Sequence, residues 1–232
     1  MQIVRQKIKL TPCQQEIYDL VSSRLALREP TIVIINAEPG SGLSTLMECL
    51  GEDMGSACLK LVSRPAMSDL NLLETFYHHL GLGGEGISHR APIPAFIYPF
   101  IELQSIMRLL VEDIDDFAIT IPMRKMTIGH VSKIASALPG MSLIISQTLS
   151  RWDHDRSIQH SDIKGVQGRD AYHLRSFADL GQYITHFKIF TASIGLNNVS
   201  SSALGGLYER TGGNLATTML HLCHPLYRRQ WE

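Results

Sequence analysis

Short apolar runs alternate along this chain with segments of helical spacing. Ile32-Val33-Ile34-Ile35 is an apolar run bounded by Pro30 and by the turn residues from Ala37 to Gly42, and a run of that length between breakers reads as a buried strand. Cys58 to Val62, Leu109 to Val111 and Met141 to Ser146 read the same way, with Ala171 to Leu174 as a last short strand. Thr11 and Pro12 open a helix that continues to residue 27, with Thr11 as N-cap and Pro12 at the first helical position. A second helix is expected from Ser44 to near Gly51, a third from Ser68 to Leu80 with apolar spacing at Leu70, Leu73, Phe76 and Leu80, and others over Phe96 to Met107 and Gly129 to Ala137. Beyond the last strand the pattern is helical at Phe177 to Phe190, Ser200 to Thr211 and Leu215 to Tyr227. Residues 81–94 and 150–170 read as loops. Strands alternating with helices predict an α/β fold with a mostly parallel sheet, right-handed crossovers, helices on both faces and a small helical bundle at the C-terminus.

The turn after the first strand carries the candidate chemistry. Residues 37–45, AEPGSGLST, fit the pattern G-x-x-x-x-G-K-[ST] at Gly42 and Ser44, but Ala37 stands for its first glycine and Leu43 for its lysine. Backbone amides of Pro39–Thr45 at a helix start, proline excepted, would converge on phosphate oxygens, with Gly40 and Gly42 allowing the close approach. Pro39, Gly40, Ser41, Gly42, Leu43, Ser44 and Thr45 are therefore the candidate nucleotide-binding residues, and Ser44 (or Thr45) supplies the hydroxyl that reaches Mg²⁺. The absent lysine would have carried transition-state charge, so binding is expected to survive better than hydrolysis. The alternative is a plain strand-to-helix turn.

In a parallel sheet all strand C-termini share one edge, so acids ending another strand can meet the loop there. Glu112 and Asp113 follow Leu109-Leu110-Val111 and are the candidate catalytic pair, Asp113 also the candidate metal ligand; Asp115 and Asp116 compete with them. Ser146, Gln147 and Thr148 end the next strand, where a polar side chain would meet a phosphate or a water or simply cap the strand. Lys60, Lys125 and Lys133 are the core lysines available to replace the missing one.

Composition narrows the classes. At 232 residues the chain buries a full core. Lys plus Arg number 21 against 22 Asp plus Glu, a net charge of −1, so no global attraction to nucleic acid or membrane is expected, and a local patch such as Arg228-Arg229 is what remains. Cys13, Cys49, Cys58 and Cys223 lack metal-like spacing and read as free thiols, and His78-His79, His154 and His160 lack zinc-like spacing with them. No run approaches a membrane span, and a cytoplasmic protein is expected.

Four segments together resemble the AAA+ P-loop ATPases, within them the general secretion pathway protein A (ExeA-like) branch and the TniB/TnsC-type transposition regulators. AEPGSGLSTL stands at the phosphate loop, NLLETFYHHLGL looks like the helix between the first strands, and LLVEDIDDF stands at the Walker B strand. AYHLRSFADLGQYITHF with LYERTGGNLATTMLHL looks like the final strand and lid. The resemblance implies a P-loop NTPase αβα sandwich over residues 1–175 and a helical lid over 176–232. It implies ATP or ADP with Mg²⁺, and self-association in which a neighbour's arginine completes each site, with Arg151 and Arg156 as candidates. It also implies a protein partner, and raises a tether to the inner membrane in a longer protein. The departures are Leu43 for lysine, VED at the acid pair, and no basic residue soon after the glycines of GGNLATT. Three readings stay open: a nucleotide-binding switch or scaffold with weak hydrolysis, a working ATPase with a substituted lysine, and a pseudo-ATPase interaction module that binds no nucleotide.

Overall fold

The computed structural model describes residues 10–27, 29–63, 71–82, 91–118, 120–149, 163, 168–224, 227 and 231. Helix α1 (Pro12–Ala26) starts on a reciprocal capping box: the Thr11 side chain accepts from the Gln14 amide, and the Gln14 side chain accepts from the Thr11 amide. It leads to β1 (Thr31–Ala37), every residue of which is buried. Helix α2 (Leu43–Met54), β2 (Cys58–Val62), α3 (Leu72–His79), α4 (Ile97–Leu103), β3 (Arg108–Glu112), α5 (Ile121–Ala137), β4 (Ser142–Thr148) and β5 (Gly168–Leu174) follow. Helices α6 (Leu180–Ser193), α7 (Ser201–Thr211) and α8 (Leu215–Cys223) follow among the described residues.

The five strands form one sheet in the order β2-β3-β4-β1-β5, and every pair is parallel. Alternation along the strands divides the core. Ile32, Ile34, Leu109, Val111, Leu143 and Ile145 join Leu73, Phe76, Ile97 and Ile134 on the face covered by α3, α4 and α5. Val33, Ile35, Leu110 and Ile144 join Ile17, Val21, Leu46, Met47 and Leu50 on the face covered by α1 and α2. Both faces being covered explains why the strands read as apolar runs rather than alternating ones. A third cluster, Phe177, Tyr183, Phe187, Leu204, Leu207 and Leu222, lies within α6–α8. Its rings interlock, with Tyr183 and Phe187 centroids 4.6 Å apart.

Several boundaries differ from the expected ones. Helix α5 begins about two turns before Gly129, because Thr120 caps it through the Met123 amide and Pro122 occupies its first turn. Helix α4 ends at Leu103 rather than Met107, and α3 begins at Leu72, where Asn71 caps it in a box with Glu74. Helix α6 begins at Leu180 under an Asp179 cap, and α8 ends at Cys223. Strands β4 and β5 run to Thr148 and back to Gly168, because pairing with β1 continues past the apolar residues.

Candidate functional site

The segment 38–42 between β1 and α2 is held by its carbonyls. Gln14, almost fully buried, donates from Nε2 to Gly42 O at 2.8 Å and to Ser41 O at 3.4 Å. Asn214 donates to Pro39 O at 2.7 Å, and the Ala216 amide donates to Gly40 O at 3.0 Å. Glu38 accepts from the Ser176 amide at 2.9 Å. The hydrogen bonds of the described residues thus engage the carbonyls, while of the loop amides Glu38 donates to Leu174 O and Ser41 to Glu38 O. The amides of Gly42, Leu43, Ser44 and Thr45 belong to the first turn of α2, where an α-helix has no internal acceptors for them. Such an arrangement is a cradle for an anion, reinforced by the helix dipole. Gly40 and Gly42 are required there. Their φ values are +74° and +85°, and a Cβ would lie 2.4 Å from the Asn214 side chain at Gly40 and 2.3 Å from Gln14 at Gly42.

Leu43, at the first position of α2, is buried in the apolar cluster under α1 and α2. It contributes apolar packing where the loop pattern has a cation. Ser44 is exposed and Thr45 half-buried at the next two positions.

The acids gather at the same sheet edge. Leu110 belongs to the face under α1 and α2, so Glu112, two residues on, shares that face, and Lys60 of β2 does too. Lys60 Nζ lies 2.8 Å from Glu112 Oε2, with the Glu112 side chain 12% exposed. Asp113 leaves the strand with φ +42°, an uncommon conformation for a residue with a side chain. It is pinned there: its amide donates to Ser146 Oγ at 2.9 Å, and its carboxylate accepts from both the hydroxyl and the amide of Thr148. Gln147 is fully buried, donates to Asn36 and accepts from Arg124 Nη2 at 3.0 Å, while Arg124 also pairs with Asp115 at 3.3 Å. Asp116 reaches solvent at the margin of this cluster; local desolvation, then the charges of Asp113 and Glu112, raise its carboxyl above the usual range.

The structure therefore brings Pro39–Thr45, Glu112 and Asp113 to one sheet edge, and commits Ser146, Gln147 and Thr148 to holding that edge together. Gln14, Asn214 and Lys60 complete it. Neither Gln14 nor Asn214 stood out in the sequence, since what each grips lies far along the chain. Lys125 is exposed on α5, and Lys133 donates to Ala91 O at 3.3 Å. His79 bonds the Thr75 carbonyl within its own helix. Arg151, Arg156, His154 and His160 lie outside the described residues. Among the described residues no group of three or more His, Cys, Asp or Glu is placed to hold a metal ion. The Mg²⁺ that such a loop implies does not fit the acid pair in this arrangement, since Glu112 is already neutralised by an ammonium and Asp113 is taken up by Thr148.

No protein-family model and no curated protein matches the chain. Solved structures of AAA+ P-loop ATPases do. AMPPCP-bound DnaA from Aquifex aeolicus superposes over 96% of this chain with a TM-score of 0.58 at 13% identity. The chain has the fold of the P-loop NTPases. PCH-2 of C. elegans (TM-score 0.52, 12% identity, 89% of this chain) and the Aeropyrum pernix ORC1 protein, solved in complex with DNA (0.51, 13%, 94%), share it. The chain spans 66%, 60% and 60% of those three proteins. No described helix is long and apolar enough to cross a membrane.

Proposed function

We propose that this chain is an AAA+-type nucleotide-binding module that takes ATP or ADP on the loop 39–45 and hydrolyses ATP weakly or not at all. In this reading residues 1–175 form the nucleotide-binding core and 176–232 a lid, and the module acts as a switch or scaffold for a protein partner, in the cytoplasm or tethered at the inner membrane through a longer protein. The observation that carries it is the grip on the loop. Gln14 from α1 and Asn214 from the start of α8 take its carbonyls, which leaves its amides to the anion without a lysine to order them. Leu43 in place of that lysine removes the charge that phosphoryl transfer draws on, which is why turnover is expected to be weak. The α8 start is bonded to Pro39 and Gly40, so a ligand that shifts the loop shifts the lid, and the two states differ in what a partner meets.

Calorimetry with ATP and ADP on the full chain tests the reading, followed by a phosphate-release assay. Micromolar to sub-millimolar binding with turnover far below one per second supports it. Rapid release of phosphate would make the chain a working ATPase with a substituted lysine. No binding at millimolar nucleotide would leave an interaction module on a retired ATPase fold.

A further inference from the structure

Glu112, in the candidate site, is paired with a cation of the protein's own. Lys60 rises from the middle of β2 on the face covered by α2, its stem passing Gly51 of that helix, and its ammonium closes on Glu112 at 2.8 Å. Glu112 is the last residue of β3 and, with Asp113, one of the two acids that end that strand at the loop's edge of the sheet. A carboxylate in that position would ordinarily be balanced by a divalent ion, and a carboxylate already paired at 2.8 Å would have to exchange one cation for the other. The exchange costs a charge-assisted hydrogen bond and brings an ammonium and a divalent ion into repulsion. The second acid offers no easier ligand, because the Thr148 hydroxyl and amide both hold the Asp113 carboxylate. Of the other nearby acids, Asp115 is paired with Arg124 and Asp116 reaches solvent.

We propose that Lys60 takes the place of the divalent cation at Glu112, so that this site binds nucleotide phosphates without Mg²⁺. The inference rests on the nucleotide-binding reading above. Lys60 cancels the acid that would repel a polyphosphate, and the loop amides bind the phosphate oxygens.

The test is calorimetric titration of the full chain with ADP and with ATP, in EDTA and in excess Mg²⁺. Dissociation constants within about threefold of each other in the two buffers are expected. Lys60→Met exposes the Glu112 charge and should weaken binding in EDTA by about tenfold or more, with Mg²⁺ restoring it. Lys60→Arg should keep the metal independence. The double variant Lys60→Met/Glu112→Gln removes the acid with its partner and should bind in EDTA more tightly than Lys60→Met alone, and a circular-dichroism melt of Lys60→Met guards against a variant that fails only because it is misfolded. Wild-type binding that falls tenfold or more in EDTA would overturn the inference while leaving the nucleotide reading intact, and so would a well-folded Lys60→Met that binds in EDTA as tightly as the wild type. Absence of binding in both buffers would overturn the nucleotide reading and this inference with it.

Discussion

Leu43 sits at the first turn of α2, in the apolar cluster beneath α1 and α2, where the phosphate-loop pattern has lysine. Leu43→Lys should tighten ATP binding by about tenfold or more, as expected for one charge-assisted phosphate contact. Unchanged affinity in calorimetry would mean that phosphate does not reach this turn. Asp116 carries a pH signature. Its carboxyl pKa is raised in the folded state, by desolvation first and then by Asp113 and Glu112. The folded chain therefore holds that proton more tightly than the unfolded one. The stabilising contribution is present below the ordinary carboxylate range and is lost as pH rises through the raised value. Asp116→Asn should accordingly stabilise the fold at pH 7, by an amount that solvent screening keeps within about 0.5 kcal/mol, and the resulting rise in Tm should fade toward pH 3. Burial pushes the Cys58 thiol up to about 11, so an alkylating reagent at pH 8 should modify exposed Cys223 well before Cys58.

Between elements, Asn214 does two jobs with one side chain. Its Oδ1 caps α8 through the Thr217 amide at 3.0 Å, and its Nδ2 reaches the Pro39 carbonyl. Asn214→Ala should cost about 1 kcal/mol through the cap and lower Tm, with a further loss of ATP affinity if the loop depends on α8 for its shape. Gly40→Ala puts a Cβ into the Asn214 amide and strains a left-handed residue. Because the clash vanishes when Asn214 is truncated, the double variant should be less unstable than the sum of the singles, by about 0.5 kcal/mol or more in denaturant titrations. Strict additivity would show that the start of α8 does not rest on Gly40 in solution.

At the scale of the molecule the buried apolar side chains of the described residues divide into two clusters on the faces of the sheet and one among α6–α8. Bonds from Glu38, Pro39 and Gly40 to Ser176, Asn214 and Ala216 tie the third cluster to the loop. Phe187→Ala empties the centre of that bundle and should destabilise it by about 3–5 kcal/mol. Hydrogen exchange should then show α6–α8 opening while β1 and β4 keep their protection. Equal loss of protection in bundle and sheet would mean that the chain folds as one cooperative unit.

The elements were legible in the chain because their causes are local. Ile32–Ile35 is apolar throughout, as a strand buried on both faces must be, CLKLV and MSLIIS are apolar but for Lys60, Ser142 and Ser146, and Thr11-Pro12 marks a helix start by its own chemistry. The loop 37–45 and the acids after Leu109–Val111 were legible as a site for a second reason, since a parallel sheet brings strand ends to one edge whatever the details of packing. Tertiary structure decided what each of those groups meets. Gln14 and Asn214 gripping the loop from opposite ends of the chain, Lys60 closing on Glu112 from a neighbouring strand, and Thr148 holding Asp113 are contacts between residues distant in sequence. No periodicity records such contacts, because they exist only once the sheet order β2-β3-β4-β1-β5 has set the strands side by side. The chain alone therefore determines the fold and the address of the candidate site, and the assembled sheet determines which charges there are left to act.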